Sequence, residues 1–526
     1  MQGLRTWAKE PLRAGHREMT LRAKGSWEGA EDFCFMWYVY LIRYIQCKLE
    51  KNAPASKHIA PVWIPPKCPA PAGQPAFSSR QLLELFRGLL PRRELWKLPS
   101  LKSKRFYERL FTPIVTLWYL IFQRLAFDHT LEGVVADAQA GGADSLCKRL
   151  SKKLLSTATV SYSNARQRLP LAFLTEALAL QAGKILGLNP KARWRGLLVS
   201  LLDGSTVRMR PCGDIPKKFP PHRNQAKTPA YWCLMRVVVC FCAHTGAALH
   251  GALGNTGLSE QVLACQIILC RRLSACLFIG DRNFGVFRIV QAARAARAQV
   301  LLRMTQTRAR KLLGRSLGLG QHAVRWSPTR HDQLQPRCSK DPVDGQLLVA
   351  RIKRKGFRTQ TLYLFTTLPK SAPYPMEELV NLYGLRWHIE LNLRYLKAQM
   401  RLVQLECKSA DMAQKEWLAG LMAYNLIRAA MLCAALHEGI SALVLSFSLS
   451  RRHLENWLTH LGQSRRESGQ RWDKMLRLIG RARLPQRRAC RPAEPRAQRH
   501  LRQPYPPLFG SRRKARQQLR KCALKS

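Results

Sequence analysis

Four polar side chains recur at three-, four- and seven-residue spacing in one stretch of the chain: Tyr383, Arg386, Glu390 and Lys397. Those intervals place them on one face of a helix. Stripes with this period are usually apolar and face a core, so a phenol, a guanidinium, a carboxylate and an ammonium in line form a candidate site. The plainer account is a surface helix with an Arg386 to Glu390 ion pair, which would contribute little. Two aspartates favour the first reading. Asp203 closes the apolar run Leu197 to Leu202 and opens Asp203-Gly204-Ser205-Thr206; Asp281 closes Ala275 to Gly280 and opens Asp281-Arg282-Asn283-Phe284. Ligands of open α/β sheets gather at the carboxyl ends of strands. Either aspartate alone would read as a turn or cap residue. With Glu390 they supply three hard oxygen donors, a set suited to a pair of Mg2+ ions, with Mn2+ able to substitute, that take their remaining ligands from phosphate. Two ions about 3.5–4 Å apart activate a water or a 3′-hydroxyl on one side of a phosphodiester and stabilise the leaving oxygen on the other. Beyond that, the protein need supply only positioning and charge.

The elements that must position these groups follow the hydrophobic period. Residues 1–85 join a basic start, an aromatic run from Trp37 to Tyr44 and a Pro/Ala-rich linker from Pro61 to Pro75, and carry no assignable function. Residues 86–192 are helical, with periodic stretches Phe111 to Leu125, Thr130 to Ala140 and Asn164 to Leu186 and with Thr130 and Ser163 as caps. They fit a DNA-binding helical domain or an ordinary packing bundle. In 193–304 the pattern gives strands Leu197 to Leu202, Tyr231 to Ala243 and Ala247 to Gly251, a helix Leu258 to Leu273, a strand Ala275 to Gly280, a helix Phe284 to Ala296 and a strand Gln299 to Arg303. Three strands, helix, strand, helix, strand is the order of a ribonuclease-H-like core, so the expected class is α/β. Residues 305–374 read as a β-rich insertion, with pieces at Gln346 to Ile352 and Thr359 to Thr367. Residues 375–440 return to the core with a helix from Pro375 to Met400 that carries the polar stripe, then one from Met412 to Leu436. Residues 441–483 form a C-terminal helical region, and 484–526 a basic flexible tail rich in Arg, Pro and Gln.

Composition narrows the partner. The 526 residues exceed the usual size of one hydrophobic core, and 46% hydrophobic with 23% charged residues is the balance of a chain that folds. Against 32 Asp and Glu stand 88 Lys and Arg, a formal charge of +56, which points to a polyanion bound through counterion release. Charge alone leaves RNA-, ribosome- and DNA-binding proteins open. The 16 cysteines are scattered through apolar stretches, as at Cys240, Cys242, Cys265, Cys270 and Cys276, and are read as buried reduced thiols. The apolar runs Leu110 to Gln123 and Cys34 to Ile42 fall short of the roughly 20 residues of a membrane span, so no membrane partner is expected. Without a signal-peptide pattern at the N-terminus, a cytoplasmic setting is expected. No phosphate-cradling Gly-rich loop appears, which argues against an ATP-driven recombinase.

The signature Tyr383-x2-Arg386-x3-Glu390-x6-Lys397, with Asp203-Gly-Ser-Thr and Asp281-Arg-Asn-Phe, resembles DDE-type transposases of the insertion sequence 4 family. The likeness extends to Phe111-Thr-Pro-Ile-Val-Thr-Leu-Trp, Asn164-Ala-Arg-Gln-Arg-Leu-Pro, Ala423-Tyr-Asn-Leu-Ile-Arg and Glu494-Pro-Arg, covering roughly residues 100 to 513. It implies that Asp203, Asp281 and Glu390 are the catalytic, metal-binding triad, and that Tyr383, Arg386 and Lys397 contact DNA near the cleaved end. Trp387 is a candidate for stacking on an unpaired base, or a structural indole. It further implies cut-and-paste transposition of a bacterial insertion sequence in a nucleoid-associated, cytoplasmic setting. The partners would be double-stranded DNA, as terminal inverted repeats and target, and a second copy of the chain in a synaptic homodimer.

Other candidates carry less. Glu260, in Leu258-Ser259-Glu260-Gln261, is read as structural, Asp214 as a turn residue, and His388 as pointing off the active face. His222, Arg223 and Lys227 in a Pro-rich basic loop are candidates for DNA contact. Two further readings stay open: a chain that binds element ends without cutting, and a basic RNA- or ribosome-associated protein.

Overall fold

The computed structural model describes residues 82–484, apart from 103–105, 107–109, 127–128, 148–149, 191, 224–228, 271–274, 315–317, 335–338, 352–360, 371–373 and 459–464, together with Gln517. The aromatic run near Trp37, the Pro/Ala-rich linker, Lys227, the basic tail and Glu494-Pro-Arg lie outside the described residues. The chain divides into two units, and every described residue belongs to the one made of 58–484 and 492–526.

That unit is a mixed α/β structure built on one sheet of ten strands among the described residues: β1 Leu198–Met209, β2 Pro221–Arg223, β3 Pro229–Cys242, β4 Ala248–Asn255, β5 Cys276–Gly280, β6 Gln299–Arg303, β7 Gly320–Trp326, β8 Val343–Arg351, β9 Thr361–Thr366 and β10 Gln404–Leu405. The main path runs β2-β3-β1-β5-β6-β9-β8-β7, with β4 beside β3 and β10 beside β1. The strands form where β-branched and other apolar side chains suit a pleated, buried surface, as in Val237-Val238-Val239 of β3, all fully buried. β1, β5 and β6 are mutually parallel, whereas β3 is antiparallel to β1 and to β4. The segment expected as a β-rich insertion extends this sheet. Leu301 to Arg303 of β6 pair with Thr366 to Leu364 of β9, because a parallel core that stopped at β6 would leave an apolar strand with an unpaired edge.

Helices cover the sheet. On the N-terminal side stand α1 Pro113–Leu125, α2 Leu131–Gln139, α3 Val160–Arg168 and α4 Leu171–Leu188. Thr112 caps α1 by accepting from the Val115 N–H, with Pro113 at the first helical position, and Thr130 caps α2 by accepting from Gly133 at 3.0 Å. The single helix expected from Asn164 to Leu186 is two, since Pro170 has no N–H to continue α3 and instead precedes α4; Ser163 lies inside α3 rather than capping it. Between strands lie α5 Glu260–Ile268, capped by Ser259, and α6 Phe287–Ala295.

After β9 come α7 Met376–Gly384, α8 Trp387–Arg394 and the long α9 Ala410–His437. By length and apolarity α9 could cross a membrane, but its most apolar stretch is wholly buried, the mark of a core helix. Its polar side chains serve the fold. Tyr424 donates to the Gly246 carbonyl at 2.6 Å, Asn425 exchanges hydrogen bonds with the N–H and carbonyl of Ala248, each 2.8 Å, and Gln181 of α4 donates to the Met422 carbonyl. Glu416 takes Arg124 of α1 and Arg166 of α3 on its two oxygens, all three buried. Thus the N-terminal helices dock directly on α9. Two more helices, α10 Phe447–Leu458 and α11 Arg465–Arg481, occupy the region after it. Cys240, Cys242 and Cys276 are buried free thiols, as expected, while Cys265 and Cys270 are only partly covered.

Candidate active site

Register brings the two aspartates together. In the parallel pair β1 and β5, Leu202 lies opposite Gly280, and the next residue on each strand is Asp203 and Asp281. The two therefore leave neighbouring strands, spaced about 4.8 Å apart, at the same level. The sequence pattern placed Asp203 at a strand end; β1 in fact runs on to Met209, held by β3, where Val239 faces Asp203, and by β10, where Gln404 faces Arg208. What ends at Leu202 is the fully buried stretch, because β5 stops at Gly280 and opens the sheet there. Asp203 accepts from the Gly204 N–H and Asp281 from the Asn283 N–H, both at 2.8 Å. Burial pushes the Asp203 carboxyl up to about 7, against the Gly204 hydrogen bond, and the charge on Asp281 adds to the rise.

The helix expected from Pro375 to Met400 is interrupted. α7 ends at Gly384, a poor helix former, and the chain tightens through i to i+3 bonds: Leu385 to Leu382, Arg386 to Tyr383, His388 to Leu385 and Ile389 to Arg386, at 2.9–3.1 Å. After α8 it widens into a π-helical turn over Tyr395–Gln399, closed by Met400 N–H on the Tyr395 carbonyl at 2.9 Å. Both ends are anchored. Glu378 in the first turn of α7 accepts from the Trp194 indole N–H at 2.7 Å and pairs with Arg195, just before β1. Asn392 of α8 accepts from Arg428 of α9 at 2.6 Å, and Tyr395 stacks on Phe447 with centroids 4.6 Å apart.

This arrangement sets Arg386 between the carboxylates. Its guanidinium pairs with Glu390 at 2.7 Å and also acts on Asp203. Lys397 is half-buried, within electrostatic reach of Asp203 and of Arg208 on β1; burial lowers its pKa and Arg208 adds to that, while Asp203 works against both. Tyr383 is 7% exposed and its hydroxyl has no hydrogen-bond partner; burial raises its pKa, and Arg386, Arg303, Asp281 and Glu390 all act on it. The Arg386 guanidinium lies over the half-buried Trp387 ring, 5.2 Å from its centroid. Asp203, Asp281, Glu390, Arg386, Lys397 and Tyr383 thus share one neighbourhood, whereas Asp214 is elsewhere, accepting from the Ala410 N–H at 2.8 Å at the start of α9.

Sequence reasoning set Glu260 aside as structural and passed over Arg208 and Arg303. Glu260 acts electrostatically on Asp203 and itself feels Asp281, and Asn283 donates to it at 2.7 Å. Arg208 and Arg303 add cations to the rim. Their signal was absent because no local period links residues 203, 260, 281 and 303; only strand pairing does.

The donors fit a hard divalent cation by chemistry: they are carboxylates, and burial, with the charge on Asp281 adding to it, raises Asp203 in a way that a bound cation would offset. Among the described residues no group of three or more His, Cys, Asp or Glu side chains forms a ready metal cage, and Glu390 is engaged by Arg386.

A family model described as a transposase DDE domain matches residues 194–426, a span that includes Asp203, Asp281 and Glu390. The chain is 26% identical over 291 residues to the transposase InsG for insertion sequence element IS4 of Escherichia coli strain K12, covering 54% of this chain and 64%, just under two thirds, of that protein. Among solved structures it is similar to the piggyBac transposase in a synaptic complex with hairpin DNA, with a TM-score of 0.36 and 11% identity, over 76% of this chain and 86% of that one.

Proposed function

From the premise that this chain belongs to the DDE transposases of the insertion sequence 4 family, we propose that it binds the terminal inverted repeats of its element and cuts and rejoins DNA there by metal-dependent phosphoryl transfer. The observation that carries this is the β1/β5 register that sets Asp203 beside Asp281, with Arg386 joining Asp203 to Glu390 on α8. The order β3-β1-β5-β6, antiparallel on one side of β1 and parallel on the other, supports a ribonuclease-H-like core.

DDE transposases use divalent metal ions. In this reading Asp203, Asp281 and Glu390 hold two Mg2+ ions, whose bound chemistry is activation of the attacking hydroxyl and stabilisation of the leaving oxygen. The chain's own cations bind and orient the substrate. Arg386 presents a planar fork suited to a phosphate, and Lys397 a point charge beside Asp203. With Arg208 and Arg303 they form a rim that draws the DNA backbone to the carboxylates. Double-stranded DNA ends and target DNA are the partners, and two chains hold the two ends together.

The test is cleavage of labelled DNA carrying the element's flanking ends, with Mg2+ or EDTA, by wild type and Glu390→Gln. Boundary cleavage that needs both the metal and Glu390 is expected. A second reading, a chain that binds ends without cutting, draws on the Arg386 to Glu390 ion pair, and end binding without cleavage in Mg2+ or Mn2+ would favour it.

A further inference from the structure

One carboxylate at the open end of the sheet has no part in that reading. Glu260 begins α5, and its carboxyl lies where a side chain at position 204 would begin, so any side chain there would displace it. Asn283 ties the same group to Asp281: its side-chain amide donates to Glu260 at 2.7 Å while its backbone N–H donates to Asp281 at 2.8 Å. Gln261, the next residue on α5, steadies Asn283 by donating to its carbonyl at 2.9 Å. Gly204, next to Asp203, and Asn283, two residues after Asp281, therefore both adjoin the Glu260 carboxyl.

An acid in the first turn of a helix is ordinarily there for the helix dipole. Such an acid gains nothing from facing other carboxylates, since like charges repel. Glu260 lies within electrostatic reach of both Asp203 and Asp281, with Arg236 of β3 as the cation that acts on it. In the same group of charges stands Tyr383, whose buried hydroxyl lacks a partner. Carboxylates crowded in this way are relieved by a cation shared among them.

We propose that Glu260 is a fourth carboxylate of the cation-binding set, seated there by Asn283. The inference rests on the metal-dependent reading above.

Calorimetric titration of the metal-free protein with Mn2+ alone tests it. Glu260→Gln keeps the shape and still accepts from Asn283, so its melting temperature should match wild type while Mn2+ affinity falls by about ten- to a hundred-fold. Gly204→Ala, which retains Glu260 but displaces its carboxyl, should weaken Mn2+ binding too and serves if Glu260→Gln fails to fold. Wild-type affinity in both variants, with binding lost in Asp203→Asn, overturns the role of Glu260 and leaves the metal reading standing. Wild-type affinity in Asp203→Asn as well, or no binding to wild type at all, overturns both.

Discussion

Arg386 is the residue on which the site turns. It is nearly buried, it pairs with Glu390, and it offsets charge on Asp203, so it holds together carboxylates that come from different elements. The same guanidinium offers a planar phosphate fork, and Lys397, half-buried, lies within electrostatic reach of Asp203. Replacing either with Ala should weaken binding to element-end DNA and lower the slope of log affinity against log salt by about one, as one lost phosphate contact does. Gel-shift titrations at several salt concentrations read this directly, and an unchanged slope would remove the residue from the interface. Asp203, Asp281, Glu390 and the cations near it could be nominated as candidates from the sequence because each sits in a local pattern. Glu260 was set aside because its partners lie across strands, and its own surroundings, a serine cap followed by an acid, look like an ordinary helix start.

At the scale of elements, strands β5 and β6 and the long helix α9 were legible from their apolar runs to within a few residues, while the helix bearing Tyr383 to Lys397 was not seen to break. Periodicity reports a face, and a tight turn at Leu385–Arg386 followed by a wide one at Tyr395–Gln399 preserves that face while changing the backbone. Strand pairing was equally hidden, so the continuation of the sheet from β6 into β9 appeared only in three dimensions. The buried triad of Glu416 with Arg124 and Arg166 joins three of these elements. Glu416→Gln leaves two guanidiniums without their counter-charge and should cost about 3–5 kcal/mol in urea unfolding at neutral pH. Burial opposes the Glu416 charge, but the two arginines outweigh it and keep its carboxyl below the usual range. A carboxyl lowered in this way contributes stability above its unfolded pKa and loses it as pH falls through the folded value. The gap between wild type and variant should therefore be full at neutral pH and close only in acid; a gap that widens on acidification would contradict the triad.

For the molecule as a whole, the excess of 88 basic over 32 acidic residues makes attraction to DNA general before it is specific. Affinity for any duplex should fall by about a thousand-fold or more between roughly 50 and 200 mM salt, and fluorescence anisotropy with unrelated DNA should show nearly the same slope as with element ends. A flat salt response would mean that most of this charge faces no phosphate. The largely buried α9 gives synthesis an order of its own. A ribosome that has reached Met400 has already made Asp203, Asp281, Glu390 and Lys397, yet the helix on which α1, α3, α4 and α8 close has not been translated. A message cut short in that interval yields a chain with every reactive group and no folded core to aim them, so premature stops anywhere before the end of α9 should be silent rather than dangerous to the DNA around them.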